Sequence, residues 1–301
     1  MIPNLSTAAI GAPITRLGVS FFPIYLLENE LPEIRTGPSS ELVVRELDDA
    51  AVGSLLAVNP TDTPVLIVEG GHFLGGKQNR AVNITALVPP RTELPVPVSC
   101  LEEGRWGRRR SYQRDVHHAS PRVRRRSQEG VHSSMEQGRS RRGDQGAVWN
   151  EVHREMRFHR APSATAAASE SNRRVYRRDP SRAEAAQELA DLGPLPGQCG
   201  IAVSHGHWVT AVELFGSRPL LAEHWGALIR SHLLELPPEP RSPSVERALW
   251  VVRRFSAMES QDAPGVGLGT ELRVRDEKRI GQALTLDGRL VHGSFWMRNG
   301  R

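Results

Sequence analysis

Lysine is almost missing from this chain: Lys77 and Lys278 stand against 37 arginines. That imbalance points to a GC-rich genome, so part of the arginine content is compositional drift rather than selection. Cysteine is equally sparse. Cys100 and Cys199 are the only two, which excludes a disulfide framework and a zinc site built on cysteine spacing. Aromatic residues make up only 5%, which leaves little for a base-stacking surface. No uninterrupted apolar run approaches the roughly 20 residues of a membrane span. The opening residues, MIPNLSTAAIGAPITRLG, lack both a basic leader and a long apolar stretch. A soluble cytoplasmic protein is the expectation, with no membrane partner and an oligomeric state left open.

The 301 residues are enough for one large domain or two ordinary ones. The net charge of +5 is unevenly spread. Between Arg105 and Arg182 lie 20 arginines, no lysine and eight acids, a local excess of twelve positive charges.

Short apolar runs and frequent turn signals fill the first hundred residues. Residues 17–27 read as a strand bent at Pro23, and 41–46 as a second strand. Asp48 to Leu56 reads as a helical turn or a lead into the next strand. Asn59-Pro60-Thr61-Asp62 is a turn signal, so Leu55–Val58 and Val65–Val68 are expected to pair as a hairpin. Runs ending at Val88 and Val98 complete about six strands, as in an antiparallel sandwich or barrel.

Residues 107–144, arginine-rich and without apolar periodicity, read as a loop or disordered insertion. Val148, Val152 and Met156 recur at helical spacing, so Gln145 to Phe158 is expected to be an amphipathic helix. Residues 161–172 read as a linker or weak helix. Ser181 with Glu184 marks a short helix to Leu192. A hairpin turning near His205-Gly206, helices over Leu220–Leu236 and Pro243–Met258, and closing strands with an Asp287-Gly288 turn follow. The expected fold class is α+β: an antiparallel β-rich first part (1–106), the arginine-rich insertion (107–144), and a mixed helix and strand part (145–301).

Polar residues crowd the ends of these strands between Pro64 and Trp106. Lys77, Gln78, Asn79 and Arg80 follow the glycines 70, 71, 75 and 76, with Asn83 close behind. Glycines let backbone N–H groups turn toward an anion, and the two cations can neutralise phosphate. The same pattern suits a polar hairpin end with solvated charges. GxxxxGK[ST] is absent, so this is not a Walker loop. Cys100, followed by Glu102 and Arg105, is a candidate nucleophile or a buried structural thiol. His117, His118, His205, His207 and His292 are the histidines that could serve it. Glu69, Glu102 and Glu103 are candidate acid/base carboxylates, or partners of Lys77, Arg80 and Arg105 in a closed polar network. His205 and His207 could face one way on a strand as metal ligands, with Glu213 or His292 as a third, but turn histidines fit as well, and no metal is expected.

The stretch EGGHFLGGKQNRAVNITALVP, continued by IPVSCxExGRW-like residues through Trp106, resembles a bacterial and archaeal domain family. That family is named for its association with ADP-ribosylglycohydrolases and rhodanese/phosphatase-superfamily proteins. Glu69, Gly70, Leu74, Gly76, Lys77, Gln78, Asn79, Arg80, Asn83, Pro97, Ser99, Cys100, Glu102, Gly104, Arg105 and Trp106 carry the resemblance. Gly71 stands where many members have a second acid. The resemblance is specific over this stretch and extends more weakly through 200–233 and LVHGSFW, so 145–301 is expected to pack with 1–106 as one family domain. It implies a place near NAD and ADP-ribose metabolism and carries no established reaction.

Three readings follow. The first is a binder of a small phosphorylated ligand, nucleotide or ADP-ribose-like. Lys77, Gln78, Asn79, Arg80, Asn83 and Arg105 would hold the ligand, and if the protein is a hydrolase, Glu69, Glu102 or Cys100 would serve the chemistry. No cofactor is specified. The second is a non-catalytic module that binds protein or nucleic acid through the arginine-rich segment. The third is a structural domain in which the KQNR and SCLEEGRW clusters form one buried network.

Overall fold

The computed structural model describes residues 2–27, 29–47, 52–107 and 111–298. Arg108–Arg110 and most of the expected turn before Ser54 lie outside them. The chain divides into two compact units, one from both chain ends (1–34 and 185–301) and one from the stretch between them, 35–184. The architecture is α+β, with strands paired antiparallel in the nine- and six-stranded sheets and in the separate pair Val65–Ile67 with Ala86–Val88.

The unit made from the chain ends is a nine-stranded sheet. Its path runs Ala9–Ile10, Val19–Tyr25, Gly200–His205, Trp208–Phe215, Arg289–Met297, Arg279–Leu286, Thr270–Arg275, Gln261–Pro264, with Ile14–Arg16 beside Val19–Tyr25. Alternation of side chains gives the sheet two apolar faces. Phe22, Ile24, Ala202, Val212, Leu214 and Phe295 pack with Ala248, Val252 and Phe255 of a helix at Val245–Ser256. Phe21 and Trp296 instead meet His232, the last residue of a helix at Arg218–His232. Pro23 is tolerated in an inner strand for a local reason. Its carbonyl accepts Gly11 N at 2.9 Å, so its missing N–H falls where that edge changes from 14–16 to 9–10. Asp287 and Gly288, at φ 51° and 75°, form the expected two-residue turn.

The unit of 35–184 holds a six-stranded sheet in the order Gln113–Arg114, His72–Leu74, Arg80–Val82, Thr92–Cys100, Ser54–Asn59, Val43–Arg45. Thr92–Pro97 pairs with Ser54–Asn59, and Val98–Cys100 with Arg80–Val82. Each half of this long strand uses one edge, which is how it accommodates Pro95 and Pro97. The expected hairpin of 55–58 with 65–68 does not form: Val65–Ile67 pairs with Ala86–Val88. Asn59 explains the correction. Its side-chain amide donates to Thr63 O, Val88 O and Pro89 O, and its Oδ1 accepts from Thr61, so the turn is tied to a different strand.

Three helices cover this sheet, α1 (Pro121–Glu136), α2 (Gln145–Phe158) and α3 (Ala168–Arg178), and α4 (Pro180–Leu192) leads into the other unit. Val123, Val148, Val152, Met156 and Ala168 join Ala81 and Leu101 in one core. α2 forms with the expected bounds. α1 overturns the reading of 107–144 as a loop or disordered insertion, and α3, from Ala168, fits the helix alternative of the reading of 161–172 as a linker or weak helix. Ser120 caps α1 by accepting Val123 N, with Pro121 at the first position. The N-cap of α4 is Asp179, whose Oδ1 accepts Arg182 N at 3.0 Å, rather than Ser181.

Candidate functional site

The polar cluster singled out in the sequence lies wholly within the 35–184 unit. His72–Leu74 and Arg80–Val82 form a hairpin, and Gly75–Asn79 is its loop. Gly75 and Gly76 sit at φ 121° and 51°, a region that favours glycine. Close approach adds a second demand, since a Cβ on Gly76 would overlap the Tyr112 ring, with Cε2 at 2.6 Å.

Arg105 fastens this loop. Its guanidinium donates to Gly76 O (3.0 Å), Gly75 O (3.1 Å), Asn79 Oδ1 (3.3 Å) and Glu102 Oε2 (2.7 Å). Glu102 also accepts from Asn79 N at 3.1 Å and Thr165 Oγ1 at 2.8 Å. Burial alone would raise the Glu102 pKa, but the donors Arg105, Thr165 and Asn79 N outweigh it and hold the carboxyl below its ordinary value. Gln78 Nε2 donates to Glu102 O at 3.0 Å, and Glu46 accepts Lys77 N and Tyr112 OH, each at 2.9 Å.

Arg80 is different. Its side chain is fully buried, and Nη1 donates to Gln78 Oε1 at 2.8 Å. Nε and Nη2 have no hydrogen-bond partner, and no carboxylate among the described residues pairs with it. Cys100 faces Arg80 in the strand register and is equally sealed. Burial pushes the Cys100 thiol up against the opposing pull of Glu102 N–H and the Arg80 charge, so it is not poised as a thiolate. Lys77 is half-buried with its ammonium 4.8 Å from the Trp106 ring centre.

Glu69 and Asn83 belong to neighbouring clusters built on α1. Glu69 and Arg124 form an ion pair with both side chains fully buried, Nη2 to Oε2 at 2.8 Å. Gly70, at φ 77°, leaves room for that guanidinium, as a Cβ there would lie 2.5 Å from Arg124 Cδ. Asn83 Oδ1 accepts from Ser127 Oγ at 3.1 Å. The structure therefore joins Gln78, Asn79, Glu102 and Arg105 in one network, sets Arg80 and Cys100 beside it, and commits Glu69 to Arg124. Glu103 turns outward to His153 at 2.5 Å.

Sequence reasoning missed Glu46, Tyr112, Asp115, Arg124 and Thr165, none of which has a local motif. Asp115 is the most perturbed of them. Its carboxylate is buried between His72 Nδ1 (3.3 Å) and His117 Nδ1 (3.4 Å). Burial would raise its pKa, but the hydrogen bond with His117 and the close His72 ring drive it far below the ordinary range. A depressed carboxylate contributes stability above its unfolded pKa, near 4, and loses it as pH falls toward its folded value. Unfolding free energy followed from pH 6 to pH 3 should therefore fall with acid more gently in Asp115→Asn than in the wild type. Identical slopes would show that Asp115 carries no linkage.

His205, His207 and His292 belong to the other unit. His205 and His207 flank the turn at Gly206 (φ 61°) and do not share a strand face, and His205 bonds Thr210 and the His232 carbonyl. Among the described residues no group of three or more His, Cys, Asp or Glu side chains is arranged to hold a metal. No described helix is long and apolar enough to cross a membrane. A family model described as "ARG and Rhodanese-Phosphatase-superfamily-associated Protein domain" matches residues 7–296. No curated protein and no solved structure matches the chain.

Proposed function

The chain belongs to the ARPP-1 domain family, and from that premise we propose that it binds a phosphorylated small molecule, nucleotide or ADP-ribose-like, at the Gly75–Arg80 hairpin. The observation that carries this reading is Arg80. A buried guanidinium with two idle donors and no counter-charge costs several kcal/mol, and a phosphate oxygen is the partner its fork fits. Lys77 supplies a second cation one turn of the loop away. Arg80 is sealed from solvent, so the ligand reaches it only when Gly75–Asn79 opens, which the two glycines permit and Arg105 restrains. If turnover accompanies binding, hydrolysis is the natural chemistry. Glu102 is then the better base than Glu69, which is spent on Arg124, and Cys100 is held as a thiol.

The saturation of Gln78, Asn79, Glu102 and Arg105 favours a second reading, in which this network only holds the strand ends together. One experiment separates them. Thermal unfolding is followed with ADP-ribose, NAD, ATP or inorganic phosphate for the wild type, Lys77→Ala and Arg80→Met. Binding at 100 times Kd stabilises by about 2.7 kcal/mol. The expected result is a shift for at least one compound that weakens in Lys77→Ala and vanishes in Arg80→Met, while Arg80→Met without ligand melts at or above the wild type, because an uncompensated buried charge is gone. No shift with any compound, together with a lower melting point for Arg80→Met, would leave the structural reading standing.

A further inference from the structure

Away from that hairpin, α1 and α2 enclose a groove of about 570 Å³ whose walls are mainly cationic. Arg122, Arg125 and Arg126 stand at i, i+3 and i+4 on α1, hence on one face, and Arg154 and Arg157 at i, i+3 on α2. Only two carboxylates join these five guanidinium groups. Glu129 bonds Arg126 at 2.9 Å and Glu151 bonds Arg154 at 3.3 Å, and Arg122 and Arg125 also have partners, so the groove's cations outnumber its acids without standing free. Phe158 ends α2 with 63% of its surface exposed, and the Arg122 guanidinium lies 5.5 Å from its ring centre. Compositional drift toward arginine spreads the residue over a whole surface. It does not gather two rows of it around one groove beside an exposed aromatic.

We infer that this groove binds single-stranded nucleic acid, the arginine rows holding successive phosphates and Phe158 stacking a base. Guanidinium forks match phosphate oxygens bidentately, and a sequence-tolerant single-strand site combines a cationic track with an aromatic platform. A base paired in a duplex has no free face to offer Phe158. The inference uses none of the Gly75–Arg80 residues and stands apart from the function proposed for them.

Fluorescence anisotropy of a labelled 12-nucleotide oligo-U, titrated with the full-length protein from 50 to 200 mM salt, tests it. The wild type should bind with an affinity that falls steeply with salt. Arg122→Gln/Arg125→Gln/Arg157→Gln should flatten the slope of log K against log salt by about 2, at about 0.7 per lost phosphate contact on a single strand. Phe158→Ala, at an exposed position where folding is not at stake, should weaken binding roughly tenfold with the slope unchanged. Absence of binding at 50 mM salt would overturn the inference. So would unaltered binding by Phe158→Ala, or inorganic polyphosphate or poly-glutamate competing as well as the oligonucleotide.

Discussion

Arg124→Met should destabilise the 35–184 unit by about 3–5 kcal/mol, among the largest effects available to a single substitution in this chain. The reason is the burial of both partners: Glu69 and Arg124 each have no exposed side-chain surface, so removing the guanidinium strands a carboxylate in the core. The attraction within the pair is not what the measurement reports. The loss comes from the uncompensated charge, and Glu69→Leu/Arg124→Met, which removes both, should recover most of it. Hydrogen exchange of the α1 amides reads this locally, which matters in a chain of two units where global unfolding need not be a single step. A loss under 1 kcal/mol for the single variant would mean that Glu69 is solvated or neutralised otherwise.

Gly76→Ala is the second. It forces a Cβ into the Tyr112 ring at a residue with φ 51°, combining overpacking with left-handed strain, about 2–4 kcal/mol together. Gly138→Ala is the matched control, because Gly138 also has positive φ (67°) but no atom within 4 Å of its Cβ position. It should cost about 1 kcal/mol. The difference isolates the packing of Tyr112 on the loop. Equal losses in the two variants would show that the ring yields freely and that Tyr112 does not fix the loop's shape.

What the sequence discloses here follows from where periodicity is apolar. α2 was legible to the residue because Val148, Val152 and Met156 face the core at helical spacing. α1 was hidden because its buried face is largely polar. Arg124, Ser127, Gln128 and His132 occupy positions where hydrophobic residues are expected; Glu69 receives Arg124 and Gln128, Asn83 receives Ser127, and Glu136 lies beside His132. The Ser120-Pro121 cap was the one local sign of that helix. The strand at 54–59 was recognised and its partner was not, since pairing is decided by Asn59 reaching across to Val88 and Pro89 rather than by the turn signal beside it. Gln78, Asn79, Glu102 and Arg105 stand in the sequence as polar groups at strand ends, and hydrogen bonds join them in the structure. Their partners Glu46, Tyr112 and Thr165 come from distant segments that no spacing rule connects to them.

The way the chain ends are paired bears on how the molecule is made. On one edge Val19–Tyr25 meets 9–10 and 14–16, but the neighbour on its other edge is Gly200–His205, so the strand emerges from the ribosome long before that partner exists. At 5–20 residues per second the delay is on the order of 10 s or more. The 35–184 unit has all its strands by then and can close first. Meanwhile VSFFPIY, among the most apolar segments of the chain, waits with one edge unpaired. Pro23 carries no backbone N–H, but that gap lies on the edge met by 9–10 and 14–16, so it leaves the waiting edge open to a stray strand until 200–205 arrives to close it.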